Sequence, residues 1–382
     1  MEITTTERPP ELPRLLVVTN DFPPRVGGTQ RYVHDLVRQL PADRVTVLAP
    51  RWEGWRAFDE AQPFRVVRHS ATMMSPTSEV RRRVNSLLHE TGAQAVLFGH
   101  GYPLGELGPG ITAETGVPYA MLTHGLEFML AAMPVIRGRL RRAFSEARVV
   151  FTVSRFMQHK LRRAIPWDVP TVPLPPGVDL ERFNPGVSGL AIRKRHGLSD
   201  RPVVACISRL VPRKGQDVLL RAWPRVLRRV PDAALLLVGD GPHLRELSRL
   251  RGGVEGPVVF AGQVAEDELP AHYAACDVFA MPCRDERFGF EVEGLGIVYL
   301  EAAAAGRPAL AGRSGGAPEA VADGETGFVI DGTDVPDVTE ALVTLLRDLA
   351  EARRLGKAGR ARAEREFGWD VVIERFARAI SD

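Results

Sequence analysis

Residues 203–223, VVACISRLVPRKGQDVLLRAW, hold a complete structural unit. Val203–Ser208 is a short apolar run rich in β-branched residues, the pattern of a strand buried on both faces. Ser208–Gly215 is a basic turn closed by a glycine, and Gln216 opens a helical pattern that runs to Val230, with an interruption expected at Pro224. The same unit stands near the start of the chain. Arg14–Asn20 (RLLVVTN) reads as a buried strand, Asn20–Gly28 (NDFPPRVGG) as a turn, and Thr29–Leu40 as a helix with Tyr32, Val33, Leu36, Val37 and Leu40 on one face.

Working outward, further strands are expected at Val45–Ala49, Arg65–His69, Ala95–Phe98, Tyr119–Thr123 and Val149–Val153. Beyond them come Ala234–Val238, Val258–Phe260, Val278–Met281 and Ala309–Ala311, with closing helices at Pro336–Glu351 and Arg353–Phe367. Strands alternating with helical patterns predict an α/β fold with parallel sheets. Pro173–Gly189 carries prolines at 173, 175, 176 and 185 and reads as a linker, after which the alternation restarts. The expectation is two doubly wound, Rossmann-like domains facing across a cleft: 1–186, 187–366, and a helix in 367–382 that crosses back to the first. In such sheets ligands bind outside the carboxyl ends of the strands.

Composition excludes several classes. The chain has 382 residues, 25% charged and 45% hydrophobic, ordinary values for a globular protein. Net charge is +3, without the basic excess of a dedicated nucleic-acid binder. That total divides into +5 for residues 1–189 (23 basic, 18 acidic) and −2 for the remainder (27 basic, 29 acidic). Cys206, Cys276 and Cys283 sit in apolar runs without metal-ligand spacing and read as small buried hydrophobes in a reducing compartment. No stretch approaches the ~18 apolar residues of a membrane span; the longest candidate, Phe128–Met133, stops at Pro134. Met1–Pro13 is polar and proline-bearing, so a cytoplasmic location is expected.

Four segments carry chemistry. The turn at 20–28 brings Gly27, Gly28 and a helix start to a strand's carboxyl end, where backbone N–H groups can meet an anion; a purely structural tight turn is the alternative. Arg209 and Lys214 flank the second domain's first turn and can reach a diphosphate, against the alternative of a solvated basic turn. In EGLGIVYLEA (293–302), two carboxylates stand eight positions apart. If the helix begins near Leu295, Glu293 lies in the loop before it and Glu301 about two turns in. Glycines 294 and 296 let the backbone approach a ligand. His124, in Thr123-His124-Gly125, can donate a hydrogen bond across the cleft or be structural, and Ser314–Glu319 reads as a glycine-rich loop at its border.

The order of TNDFPPRVGG (19–28), SRLVPRKGQD (208–217), LLLVGDGP (235–242), EGLGIVYLEA (293–302) and SGGAPEAV (314–321) resembles family-4 retaining glycosyltransferases of the GT-B fold. It is most similar to the bacterial GDP-mannose-dependent phosphatidylinositol mannoside mannosyltransferases. The resemblance implies a hexosyltransferase. In that frame Arg209 and Lys214 hold the donor diphosphate, and Glu301 binds the ribose. Glu293 and the backbone of Gly294, Leu295, Gly296, Ile297 and Val298 contact sugar and phosphate. His124 contacts the donor sugar near the reacting carbon. Gly27 and Gly28 approach the phosphate, the base lies near Gln263–Val264, and Asp21 is an acceptor-side carboxylate. No D-x-D triplet occurs, so no metal and no cofactor beyond the donor substrate is expected.

The acceptor expected by resemblance is a phosphatidylinositol mannoside at the inner face of the plasma membrane. Arg81–Arg83, Arg137–Arg142 and Lys160–Arg163 can meet anionic lipid, and Trp52, Trp55 and Trp167 can enter the interface; solvated helix faces and core tryptophans are the alternative. Arg51–Phe64 matches no pattern that can be placed and borders the expected acceptor side. Three other readings stay open: another nucleotide sugar or a soluble acceptor, a GT-B epimerase, and a non-catalytic nucleotide-sugar binder.

Overall fold

The apolar runs pair as parallel strands of two sheets in the computed structural model, which describes residues 12–381 except Trp167, Arg287, Phe288 and Phe290. The chain forms two units, Met1–Gly177 with Trp369–Asp382, and Val178–Gly368. The division therefore falls at Gly177/Val178, ahead of the 186/187 boundary read from the proline spacing.

The first unit runs β1 (Leu15–Val18), α1 (Gly28–Arg38), β2 (Val45–Pro50), α2 (Trp55–Glu60), β3 (Arg65–His69), α3 (Ser78–Thr91), β4 (Ala95–Phe98), α4 (Gly108–Thr115), β5 (Tyr119–Thr123), α5 (Leu126–Leu130), α6 (Pro134–Ser145), β6 (Val149–Thr152), α7 (Arg155–Ala164) and β7 (Thr171–Pro173). Its seven strands lie in the order β3-β2-β1-β4-β5-β6-β7. The central strands are buried along their whole length, which is why they are apolar throughout rather than alternating.

The second unit runs α8 (Leu190–Arg195), β8 (Val203–Ile207), α9 (Gln216–Arg229), β9 (Ala234–Val238), α10 (Leu244–Gly252), β10 (Val258–Gly262), α11 (Leu269–Ala275), β11 (Val278–Met281), α12 (Ile297–Ala304), β12 (Ala309–Gly312), α13 (Ala317–Ala320), β13 (Gly327–Ile330), α14 (Val335–Arg347) and α15 (Leu349–Glu366). Its six strands lie in the order β10-β9-β8-β11-β12-β13. In both sheets the order reverses beside the first strand, between β1 and β4 and between β8 and β11. At such switch points two neighbouring turns diverge and leave a crevice.

Two strands escape the sequence reading: β7, three residues bounded by prolines, and β13, which begins on a glycine. Two helix expectations are corrected. Pro224 lies inside a continuous α9 and costs it one backbone bond without ending it, because Val218, Leu219, Ala222, Trp223 and Val226 keep the helix buried. The helix after Glu293 begins at Ile297, two residues later than expected, so Glu301 stands little more than one turn in.

The last helix, α16 (Trp369–Ser381), packs on the first unit's sheet. Val372, Phe376, Ala377 and Ile380 form its buried stripe. Phe376 meets Phe151 of β6 with ring centroids 5.3 Å apart, and Arg148 donates to the Ile380 carbonyl at 3.1 Å. Phe376 is fully buried. Phe376→Ala should therefore cost about 3–5 kcal/mol, read as a lower urea midpoint for the first unit; an unchanged midpoint would contradict this packing.

Candidate active site

In the first unit the turn after β1 meets the turn after β4 at the switch point. Asn20 fixes the first turn, donating from Nδ2 to the Met74 carbonyl at 2.9 Å and accepting from Met74 N at 2.8 Å. The second turn, Gly99-His100-Gly101, needs its first glycine: a Cβ there would lie 2.4 Å from Thr19 Oγ1. This close approach brings His100 Nε2 to 3.0 Å from Asp21 Oδ2. Gln30, from the first turn of α1, donates to the other carboxylate oxygen of Asp21, and Arg25 stands 4.0 Å away. Gly27 caps the start of α1 and Gly28 is its first residue.

The other face of His100 meets a second acid. His100 Nδ1 lies 3.3 Å from Glu127 Oε1, and the same oxygen accepts Gly101 N at 3.1 Å. Glu127 Oε2 accepts the backbone N–H groups of His124 and Gly125 at 3.3 and 3.2 Å. A fully buried carboxylate thus has four donors, matching its capacity. Burial alone would lower the His100 imidazole, but its hydrogen bonds to Asp21 and Glu127 raise it to about 9. Burial opposes ionisation of Asp21 and Glu127, and the His100 imidazolium outweighs it, holding both carboxyls below their ordinary values. The result is a carboxylate–imidazolium–carboxylate chain.

His124 behaves differently. Burial and the neighbouring His100 charge push it down to about 4, so the ring is neutral. Its Nε2 lies 2.9 Å from the Gly99 carbonyl, which can only accept, so Nε2 carries the proton. The expectation that His124 donates a hydrogen bond to a ligand is corrected: that N–H is used within the unit, and the remaining nitrogen, Nδ1, is an acceptor.

In the second unit the turns after β8 and β11 meet at the other switch point. Glu293 Oε2 receives both Lys214 Nζ and Arg213 Nη1, each at 2.6 Å. Burial pushes the Glu293 carboxyl up, and the two cations more than reverse this, holding it ionised. Its main chain is held too. Gly316 N donates to the Glu293 carbonyl at 2.8 Å, and Glu293 N donates to Ser314 Oγ at 3.2 Å. Gly315, at φ +53, cannot take a side chain, since a Cβ would lie 1.9 Å from that carbonyl. The glycine-rich loop at 314–319 therefore positions Glu293.

Arg209 is exposed, with no ion-pair partner among the described residues. Gly294, Leu295 and Gly296 form the loop leading into α12, and Ile297 and Val298 its first turn. Glu301 is buried and accepts the Tyr273 hydroxyl at 2.7 Å, so one of its oxygens is committed within the unit. Val264 is partly buried in the loop after β10. The three cysteines are buried and unpaired, and burial pushes their thiols up to about 11 or 12. Trp167 lies outside the described residues.

Sequence reasoning missed His100, Glu127, Gln30 and the role of Arg213. His100 stands two residues after a recognised strand, a usable signal only once that strand is known to adjoin β1. Removing His100 takes away the cation that partly buried Asp21 and fully buried Glu127 share. His100→Gln should cost about 3–5 kcal/mol at pH 7, and adding Glu127→Gln should recover part of it, both read by urea denaturation. The His100 imidazole is raised in the folded state from 6.5 to about 9. Its stabilisation is complete below pH 6.5 and lost as pH rises through 9, a slope that His100→Gln should lack.

Comparison with known proteins supports both units. Residues 26–182 match the model for Glycosyltransferase Family 4, and residues 201–348 that for Glycosyl transferases group 1. The GDP-mannose-dependent alpha-(1-6)-phosphatidylinositol monomannoside mannosyltransferase of Mycolicibacterium smegmatis is 47% identical over 374 residues, 96% of this chain and 98% of that protein. The monoacylated phosphatidylinositol monomannoside mannosyltransferase of Corynebacterium glutamicum is 39% identical over 96% of this chain and 97% of its own. Among solved structures, Anabaena HepE in complex with UDP superposes with a TM-score of 0.81 at 21% identity, covering 96% of this chain and 99% of that one. Sucrose-phosphate synthase from Thermosynechococcus elongatus gives 0.76 at 22%, covering 96% and 98%. The chain belongs to glycosyltransferase family 4, and it carries the two Rossmann-like domains of the GT-B fold.

Proposed function

We propose that this protein is a retaining mannosyltransferase that moves an α-mannosyl unit from GDP-mannose to a phosphatidylinositol mannoside-type lipid acceptor. The observation that carries the reading is the 47% identity, across 96% of the chain, to a relative named for that donor and acceptor.

The geometry supplies chemistry suited to it. The hard step is departure of a nucleoside diphosphate, whose growing negative charge must be met by fixed positive groups. Lys214 has one of its three N–H donors on Glu293 and two left for phosphate, and exposed Arg209, in the same turn after β8, offers a guanidinium fork. Arg213 shares Glu293 with Lys214, so the acid aligns two cations while reducing their mutual repulsion. The loop 294–296 and the start of α12 bring backbone N–H groups to the same edge. On this reading Glu301 holds the ribose, and Val264 lies near the base. In the first unit, neutral His124 accepts a sugar hydroxyl at Nδ1, and ionised Asp21 accepts the proton-bearing hydroxyl of the acceptor. The positive charge comes from side chains, so the reaction is proposed to need no metal.

A basic surface of the first unit supports contact with anionic lipid. Val135 is 69% exposed and Met133 45% exposed, beside exposed Arg137 and Arg141, which have no carboxylate partner among the described residues. Arg81 and Arg83 are instead engaged by Glu114 and Glu90. No helix among the described residues is long and apolar enough to cross a membrane.

A donor-by-acceptor turnover panel tests the reading, with GDP-mannose against UDP-sugars and lipid against soluble acceptors. Mannose transfer to phosphatidylinositol monomannoside is expected, unchanged by EDTA. Lys214→Ala should lower kcat/KM by about 10²–10³. Transfer only from another donor, or donor turnover wholly independent of acceptor, would overturn it. Separately, anionic vesicles should retain the protein at low salt, and Arg137→Glu with Arg141→Glu should release it; retention unaffected by those changes would remove this surface from the account.

A further inference from the structure

The segment between β2 and β3 is not part of the ion clusters described above, yet it is fastened to the turn that carries Asp21. The fastener is Arg68 of β3, whose side chain is 2% exposed. It donates to the Pro23 carbonyl of the β1 turn at 2.7 Å and to the Pro50 carbonyl at the end of β2 at 2.8 Å. It also grips Asp59 of α2 from Nε at 3.0 Å and from Nη2 at 2.7 Å. A buried arginine with its donors spent in this way is a staple, and it makes the β1 turn and α2 one rigid piece.

What this piece presents is a set of guanidiniums on indoles. Arg25 lies over Trp52 at 4.9 Å, and Arg51 and Arg56 lie over Trp55 at 5.6 and 4.7 Å. Stacking uses the face of a guanidinium and leaves its in-plane N–H groups directed outward. Among the described residues neither Arg51 nor Arg56 is paired with a carboxylate, and Arg25 reaches Asp21 only at 4.0 Å. The Trp52 Nε1–H is buried and has no acceptor among the described residues, an unmet donor within this patch. Guanidiniums with no carboxylate in ion-pair reach, joined through Arg25 to the ionised Asp21 carboxylate, match a molecule with both an anionic group and a hydroxyl.

We infer that Arg51 and Arg56, with Arg25 and the Trp52 indole, form the subsite for the phosphodiester of a polyol-phosphate acceptor, placing a hydroxyl of that polyol toward Asp21. The inference rests on the proposed lipid-headgroup acceptor and adds the residues that select it. A phosphorylated head group, free or lipid-borne, is the ligand, and a membrane surface is the competing source of the same charge.

Steady-state kinetics on the full chain separate these. Arg51→Ala with Arg56→Ala should raise KM for phosphatidylinositol monomannoside in detergent about tenfold or more. It should do the same for the deacylated, water-soluble head group. The KM for GDP-mannose should stay unchanged, and Arg51→Lys with Arg56→Lys should show only part of the loss. An acceptor KM within about twofold of wild type on both acceptors overturns the inference. So does a loss confined to lipid in vesicles, which assigns the patch to the membrane surface. If the wild type transfers mannose to neither acceptor, the proposed function fails instead. The subsite is then judged by tryptophan fluorescence titration with glycerophosphoinositol. Binding lost in the double variant and in Trp52→Phe supports it, and no binding by wild type overturns it.

Discussion

Parallel strand pairing is the constraint on which the rest of each unit depends. Parallel neighbours cannot be joined by a hairpin, so each strand is followed by a crossover and every strand-to-helix turn emerges at one edge of the sheet. Where the order reverses, between β1 and β4 and between β8 and β11, two such turns diverge and leave room for side chains. Asp21 and His100 come from the first pair of turns, Lys214 and Glu293 from the second. The chemistry of each unit thus gathers where its backbone topology leaves a gap.

Both gaps are built around buried carboxylates kept ionised by cations. Glu127 and Asp21 share one imidazolium, whereas Glu293 has two cations to itself. The difference suits two tasks. In the first cluster two carboxylates meet one imidazolium and the more distant Arg25, leaving acceptor capacity on Asp21 that is fit for a hydroxyl. The second has surplus positive charge, fit for a diphosphate. Each buried acid is also tied to backbone N–H groups or to a glycine-framed loop, which fixes the cations' geometry before any ligand arrives.

Much of this was legible in the chain. Most strands stand within one or two residues of their apolar runs, because a strand buried on both faces admits little else. Arg209, Lys214 and Glu293 were visible because basic and glycine-framed turns directly follow such runs. His100 and Glu127 were not, because their meaning depends on strand adjacency, and no local pattern states which strand lies beside β1. The start of α12 differs because Gly294 and Gly296 permit several starts, and Gly296 takes φ +91, outside the helical region, which leaves Ile297 as the first helical residue.

By itself the sequence determined the alternation of strands and helices, the division into two α/β units, and the family, since periodicity and ordered motifs are local properties of the chain. Only the tertiary structure decided which turns meet and which protonation states result. It made His100 an imidazolium between two acids and left His124 neutral, although nothing in their immediate neighbours distinguishes two histidines that each follow a strand. It also turned Arg68, an unremarked strand residue, into the staple that ties the β1 turn at Pro23 to Asp59 of α2. The physical reason is common to all three: charge state and anchoring are set by burial and by partners brought from distant parts of the chain.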